Sequence, residues 1–301
     1  MIRGPDARSD KFLTDLANIT RRLERAQNQI TSGRRINRVS DSPDEVSRLL
    51  QIRTELASTV QIRFNLGRVQ AEVDAAEQAL NHSVGLLDRV VTLGTQGGTD
   101  LVSATERQAL SFEVGTILEQ LVTAAATVVE GRYIFSGDND LTAPYALDLD
   151  LFDPFSAYQG SASTRQSQHP SGWRFSLAAT AEDIFDNAGP GASVFRSVNN
   201  LRHALAANDT QATLEALAEV RGAMVHLNNK HAFYGTVQNQ VREAVNYSHQ
   251  QELRLNEQLS QLQDADLTAA ILELNQAQFN QNAALRAEGL RANLSLFDYL
   301  R

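Results

Sequence analysis

The side chains that could carry chemistry in this sequence are few, and their spacing suits none of the common site types. Six histidines occur, at His82, His169, His203, His226, His231 and His249. None belongs to an HExxH run, and His226 and His231 stand five apart, off a shared helical face. They read as solvated or half-buried imidazoles. Asp148, Asp150 and Asp153 lie in the run DLDLFD, but the glycine and the closing bidentate glutamate of an EF-hand loop are missing, so the run reads as a solvated acidic loop. Ser, Asp and His are all present without a GxSxG elbow to assemble them. The cluster GTQGGTD, Gly94 to Asp100, lacks the Lys-Ser/Thr pair of a phosphate loop and no strand precedes it. These residues therefore point to no catalytic site, no cofactor and no metal.

Charge narrows the partners. Acidic residues outnumber basic ones 36 to 27, a formal charge of -9, which speaks against nucleic acid as a main partner. The one dense basic cluster is Arg34-Arg35 with Arg38. It suits either an acidic partner surface or the negative end of a helix dipole, and spacing alone leaves both open. With no cysteine, disulfides and thiolate sites are excluded, which fits the cytosol or an export route without oxidative folding. The opening MIRGPDARSDKFLTDL has no apolar h-region, and the longest apolar stretch, Leu121 to Val129, is too short to span a bilayer. No membrane partner is expected.

The elements around these residues are long helices. Phe12, Leu16, Ile19, Leu23, Ala26 and Ile30 are spaced alternately by four and three, an unbroken a/d seam closed by Ser32-Gly33. A second helix starts at Asp41-Ser42-Pro43, with either Asp41 or Ser42 as cap and Pro43 in the first turn. From Asp44 to Leu93 it would be about 75 Å long at about 1.5 Å per residue. Its apolar seam is interrupted by Arg63, Gln70 and Glu77, which suits a bundle better than an isolated zipper. The Gly94–Asp100 cluster reads as a turn, followed by a third helix with Leu110, Val114, Ile117, Leu121 and Val128 on one face. From Gly131 to about Asn200 the character changes: most prolines and the sole tryptophan, Trp173, lie here. Tyr133–Phe135 and Trp173–Leu177 read as strands between turns at Asp138–Asp140 and Gly189–Gly191. Helical pattern returns near Val194, and a last helix over roughly 266–293 carries Leu267, Ile271, Leu274 and Leu285. Each terminal arm exposes an apolar seam, so each requires a mate.

The expected fold is mainly α: long antiparallel coiled-coil helices from both chain ends forming a rod, with a small inserted β-rich domain. Residues 1–40 with 263–301 form the terminal pair, 41–130 with 200–262 the rod, and 131–199 the insert.

Two runs at opposite ends resemble the flagellin superfamily. Ile30-Thr31-Ser32-Gly33-Arg34-Arg35-Ile36-Asn37 with Ser40-Asp41-Ser42-Pro43 resembles its N-terminal SSGKRIN…DDPA signature. Asp264-Ala265-Asp266-Leu267 through Leu274-Asn275-Gln276-Ala277-Gln278 is similar to its C-terminal helix. Within the superfamily, Gly131-Arg132-Tyr133-Ile134-Phe135-Ser136-Gly137 and the ending Leu294-Ser295-Leu296-Phe297-Asp298-Tyr299-Leu300 resemble the hook-filament junction branch.

The resemblance implies export, unfolded, through the flagellar type III apparatus with an uncleaved N-terminal signal. It implies an extracellular place in the bacterial flagellum, in a ring of copies between hook-associated protein 1 and the first flagellin, with an export chaperone beforehand. The residues expected to carry assembly are Phe12, Leu16, Ile19, Leu23, Ile30, Arg34, Arg35, Leu267, Ile271, Leu274, Leu294, Leu296, Phe297, Tyr299 and Leu300. A filament-forming flagellin is the alternative within the superfamily, and a cytosolic coiled-coil scaffold the alternative outside it.

Overall fold

The computed structural model describes residues 7–148, 151–163, 165–187, 189 and 193–299; for residues 7–9 and 291–299 only the backbone is described. The chain divides into two compact units, residues 1–60 with 250–301 and residues 61–249. Both are built mainly from helices: α1 (Ala7–Ser32), α2 (Pro43–Gly97), α3 (Ala104–Ala125), α4 (Ala181–Phe185), α5 (Val194–Ala206), α6 (Thr210–Gln263) and α7 (Leu267–Tyr299).

In the first unit, α1 stops where its sequence says it should. Gly33 adopts φ +68° and its N–H reaches back to the Gln29 carbonyl at 2.9 Å, the left-handed exit that glycine enters without steric cost. A single 3-10 turn, Val39–Asp41, precedes α2. The Asp41 carboxylate accepts from the backbone N–H groups of Asn37 and Arg38 at 3.0 and 2.7 Å, so it closes that turn. Ser42 is the residue at the start of α2: its carbonyl accepts the first helical bonds, from Glu45 and Val46, and its hydroxyl donates to the Glu45 carboxylate at 3.0 Å.

The second unit packs α2, α3, α5 and α6 around one apolar core. Leu80, Leu87 and Leu93 of α2, Val114 and Leu121 of α3, Leu201 and Leu205 of α5, and Val220 and Leu227 of α6 have no exposed surface. One polar interruption of the α2 seam, Glu77, lies 2.9 Å from His231 Nε2, and Asp74, one turn earlier, accepts from Gln238 at 2.6 Å. α3 begins with a capping box in which Ser103 and Glu106 each bond the other's backbone N–H. Ser103→Ala should therefore cost about 1 kcal/mol in urea unfolding, with midpoint lowered and slope unchanged.

Two expectations for this unit need correction. Helix α2 runs to Gly97, so the glycine cluster does not begin a turn at Gly94. These glycines instead admit neighbours: a Cβ at Gly94 would lie 2.9 Å from Leu217 Cδ1, and one at Gly97 2.2 Å from Leu205 Cδ2. Val128 is not on the face of α3, which ends at Ala125. It belongs to β1 (Val128–Val129), paired antiparallel with β2 (Arg132–Tyr133) through Glu130 and Gly131, both at positive φ, +50° and +80°. That two-residue turn matches the right-handed twist of the hairpin it closes.

Between α3 and α5 the described regular strand is confined to this hairpin and a second, β3 (Gln166–Gln168) with β4 (Arg174–Ser176), in register Ser167 to Phe175. Tyr133 is strand, whereas Ile134 and Phe135 leave the ladder to enter the core. Phe135 meets Phe185 and Tyr234 edge-on at 6.2 and 6.1 Å, and Phe185 stacks on Phe195 at 5.4 Å. The inserted segment is thus held by aromatic plugs more than by sheet. Gly137, at φ +63°, fixes its entry: a Cβ there would stand 2.2 Å from the Ser161 carbonyl oxygen and 2.6 Å from that of Ser163. Gly137→Ala should lower stability by about 2–4 kcal/mol in a denaturant melt, since backbone must yield on both sides.

Candidate assembly surface

The residues expected to mediate assembly gather in the first unit, where α1 and α7 pair antiparallel. Arg22 Nε lies 2.6 Å from Glu273 Oε1 across the pair, and the two linkers bond at their shared end: Ala265 N–H donates to Gly33 O at 2.9 Å. On α1, Phe12, Leu16, Ile19, Leu23 and Ile30 are half-buried and Ala26 is fully buried. The a/d seam read from the sequence is the face turned to α7.

The matching seam of α7 is made of smaller residues than its leucines suggested. Ala270, Leu274, Ala277, Gln281, Ala284 and Glu288, spaced alternately by four and three, are buried or half-buried, with Glu273 and Asn280 half-buried at the edge of that stripe. Of the residues expected here, only Leu274 belongs to that stripe. Leu267 and Ile271 are 47% and 48% exposed, rotated to one side of it. Leu294, Leu296, Phe297 and Tyr299 continue α7, but their side chains lie outside the described residues, as does all of Leu300.

A feature the sequence reading missed lies on the far side of α7. Leu272, Phe279 and Leu290 are 65%, 70% and 67% exposed. At about 100° per residue they fall on one stripe, roughly opposite the face that meets α1. Their spacing of seven and eleven residues was readable as a second, weaker apolar period. The helix pair therefore satisfies one seam and leaves another uncovered.

The basic cluster splits in two. Arg34 is exposed, its backbone in a bridge with Asp264. Arg35 is a tie within the chain: its guanidinium bonds Glu45 at 2.6 Å and the Leu262 carbonyl at 2.8 Å, while its N–H donates to Gln263 O at 2.6 Å. It thus sits on the last carbonyls of α6, where a cation complements the helix dipole. Arg53 adds a bond to the buried Gln263 side chain at 2.8 Å. Sequence reading missed Glu45, Arg53 and Gln263, because nothing local shows that two linkers more than two hundred residues apart meet.

These pairs carry a pH signature. Glu45 is held below the usual carboxylate range by its bond from Arg35, then by Ser42, and Glu273 by its bond from Arg22. Lowered carboxylates contribute stability above their unfolded pKa and lose it as pH falls through the folded one. The α1–α7 pair should therefore loosen below about pH 4.5; hydrogen exchange of α1 amides at pH 6 and pH 3.5 measures this, with faster opening expected at the lower pH.

Elsewhere the candidate chemical residues are engaged in packing. His226 Nε2 lies 2.9 Å from the Asp183 carbonyl, His203 stacks on Phe152 at 4.0 Å, and Asp153 accepts from Asn199 at 3.0 Å. Among the described residues no group of three or more His, Asp or Glu side chains could hold a metal ion, and no helix is long and apolar enough to cross a membrane.

Comparison with known proteins gives the same picture from outside. The models of the bacterial flagellin N-terminal and C-terminal helical regions match residues 7–140 and 217–298, together well over half of the chain. The chain is 25% identical to flagellar hook-associated protein 3 of Escherichia coli over 293 residues, 89% of this chain and 90% of that one. It is 20% identical to the flagellar filament 33 kDa core protein of Treponema phagedenis over 288 residues, 95% of each. The fold is shared with flagellar hook-associated protein 3 of Legionella pneumophila, at TM-score 0.61 and 16% identity over 70% of this chain and 98% of that one. It is shared too with Bacillus cereus FlgL, at TM-score 0.59 and 23% identity over 70% and 99%. These relatives are structural flagellar proteins, not enzymes. With both helical arms matched, the chain belongs to the flagellin superfamily and is a structural, exported component of the bacterial flagellum.

Proposed function

We propose that this chain is the junction subunit between hook and filament, of the hook-associated protein 3 type. The observation that carries the reading is the match to the Escherichia coli protein along nearly the whole of both chains, inserted segment included. The runs Gly131–Gly137 and Leu294–Leu300 agree with it. In this role copies associate in a ring, one side meeting hook-associated protein 1 and the other the first flagellin, after delivery by an export chaperone. The paired arms, 1–40 with 263–301, form the inner wall; 41–130 with 200–262 form the rod; and 131–199 face solvent. The uncovered stripe of α7 supports such packing, since an apolar row of this kind gains by burial against a neighbour.

A filament subunit is the second reading, favoured by the full-length match to the Treponema filament core protein. Immunogold labelling of isolated flagella separates the two. Label at a single point between hook and filament is expected; label along the whole filament would replace the junction reading with the second one.

A further inference from the structure

Beside the seam lies a cleft of about 160 Å3, formed where the loop after Gly33 folds back against the last turns of α1. Four arginines line it, Arg21, Arg25, Arg35 and Arg38, on a chain whose net charge is -9. Two acids, Glu24 and Asp41, also line the cleft, and Glu45 pairs with Arg35, so the four guanidinium charges are largely offset and a small positive excess remains. Asp41 is committed to the backbone of Asn37 and Arg38, and Glu45, the partner of Arg35, is shared with Ser42. Arg21 bonds within its own helix, to Ala17 O and Asn18 Oδ1. Arg25, Arg38 and the neighbouring Glu24 form no ion pair among the described residues. The cleft has room for one or two carboxylates with water, each water taking about 30 Å3. It is too small to track a nucleic-acid backbone. Planar guanidinium forks grip a carboxylate in two parallel hydrogen bonds.

We propose that this cleft is a carboxylate socket, filled by an exposed Asp or Glu of a neighbouring copy of the chain and gripped by Arg25 and Arg38. The inference rests on the assembly reading above. Charge complementarity selects the occupant: each copy is acidic overall, so its neighbours offer carboxylates at high effective concentration, and a basic cleft in an acidic subunit sets register as well as attraction.

The chain has only two lysines, Lys11 and Lys230, and that makes a direct test possible. Arg38→Lys keeps the charge and places an amine in the cleft; carbodiimide then joins it to any carboxylate in contact. Assembled flagella carrying a mixture of heavy and light isotope-labelled copies should yield a mixed-isotope peptide linking position 38 to an Asp or Glu. Linkage only to the same copy's Glu24 or Asp41, or none, overturns the socket. In parallel, the full-length chain is titrated with hexaglutamate and with inorganic phosphate at low salt. Hexaglutamate should bind the unaltered chain at least tenfold more tightly than it binds the Arg25→Gln/Arg38→Gln variant, and more tightly than phosphate does. Equal binding by phosphate, or an unaffected variant, overturns the proposal. Both arginines are exposed and form no ion pair among the described residues, so the double variant should melt like the parent. Absence of the chain from flagella would sink the assembly reading alone, and the titration would still decide whether the cleft selects carboxylates.

Discussion

Leu272→Asp with Phe279→Asp should remove the chain from flagella while leaving its melting temperature within about a degree of the parent. Both side chains are largely exposed, 65% and 70%, and stand opposite the α1 contact, so the folded monomer gains little from them. In an assembly each buries apolar surface worth about 1.5–3 kcal/mol. Two replacements per copy therefore forfeit about 3–6 kcal/mol, roughly a hundredfold to ten-thousandfold in association, before the cost of placing two carboxylates in an apolar contact. The control is Ala270→Asp, a change on the opposite face. Ala270 is 4% exposed against α1, so this variant should lower the melting temperature itself. Complementation of a strain lacking the gene, scored by soft-agar motility and by sedimentable flagella, reads the first effect; a thermal melt of purified chain reads the second. Normal motility with the double aspartate variant would show that this stripe is not an assembly contact.

The contrast between the two faces of α7 shows how far spacing alone reaches. On α1 the large residues fall at four-three intervals, and that stripe is the one turned inward, from Phe12 to Ile30. On α7 the same rule, applied to leucine and isoleucine, selects Leu267, Ile271 and Leu274, whereas the structure turns Ala270, Leu274 and Ala277 toward its mate. Alanines let two helices approach closely, and an apolar moment weighted by side-chain size passes over them. A helix with two apolar stripes is ambiguous to a periodicity argument for a physical reason: the period marks both stripes alike, and which of them meets α1 is decided by side-chain size at the contact.

The inserted segment was legible in composition and opaque in geometry. Its turns and aromatic residues marked a change of fold, but Phe135 lies in a run that alternates like a strand and acts as a plug. The local pattern could not show that, because the groove it fills is built by Phe185 and Tyr234, fifty and ninety-nine positions later. The glycine cluster shows the same limit. Gly94 and Gly97 read as a turn because glycine weakens helices, yet here α2 continues through them and their missing side chains clear space for Leu217 and Leu205. Long-range partners, more than local preference, decided what each of these residues does.

Arg107→Ala should be among the most destabilising single changes in the second unit, at about 2–4 kcal/mol. Arg107 is 5% exposed and its guanidinium serves three acceptors: the Gly97 carbonyl at 2.8 Å, the Thr99 carbonyl at 2.8 Å and Asn208 Oδ1 at 2.6 Å. Gly97 is the last residue of α2, and Asn208, at φ +56°, lies just past the end of α5. One cation thus closes two helix ends from the first turns of a third. A positive charge so near the start of α3 is unfavourable to that helix's own dipole, and it is tolerated because the terminal carbonyls of α2 lie within reach. Alanine would leave those acceptors without their donor and open a void between three helices. Arg107→Lys keeps the charge but cannot span three acceptors with one ammonium, so it should recover only part of the loss. Equilibrium urea unfolding of the three proteins orders them parent, lysine, alanine, with the slope unchanged if only stability has moved. If alanine falls within about 0.5 kcal/mol of the parent, the usual range for surface changes, Arg107 does not hold these helix ends together.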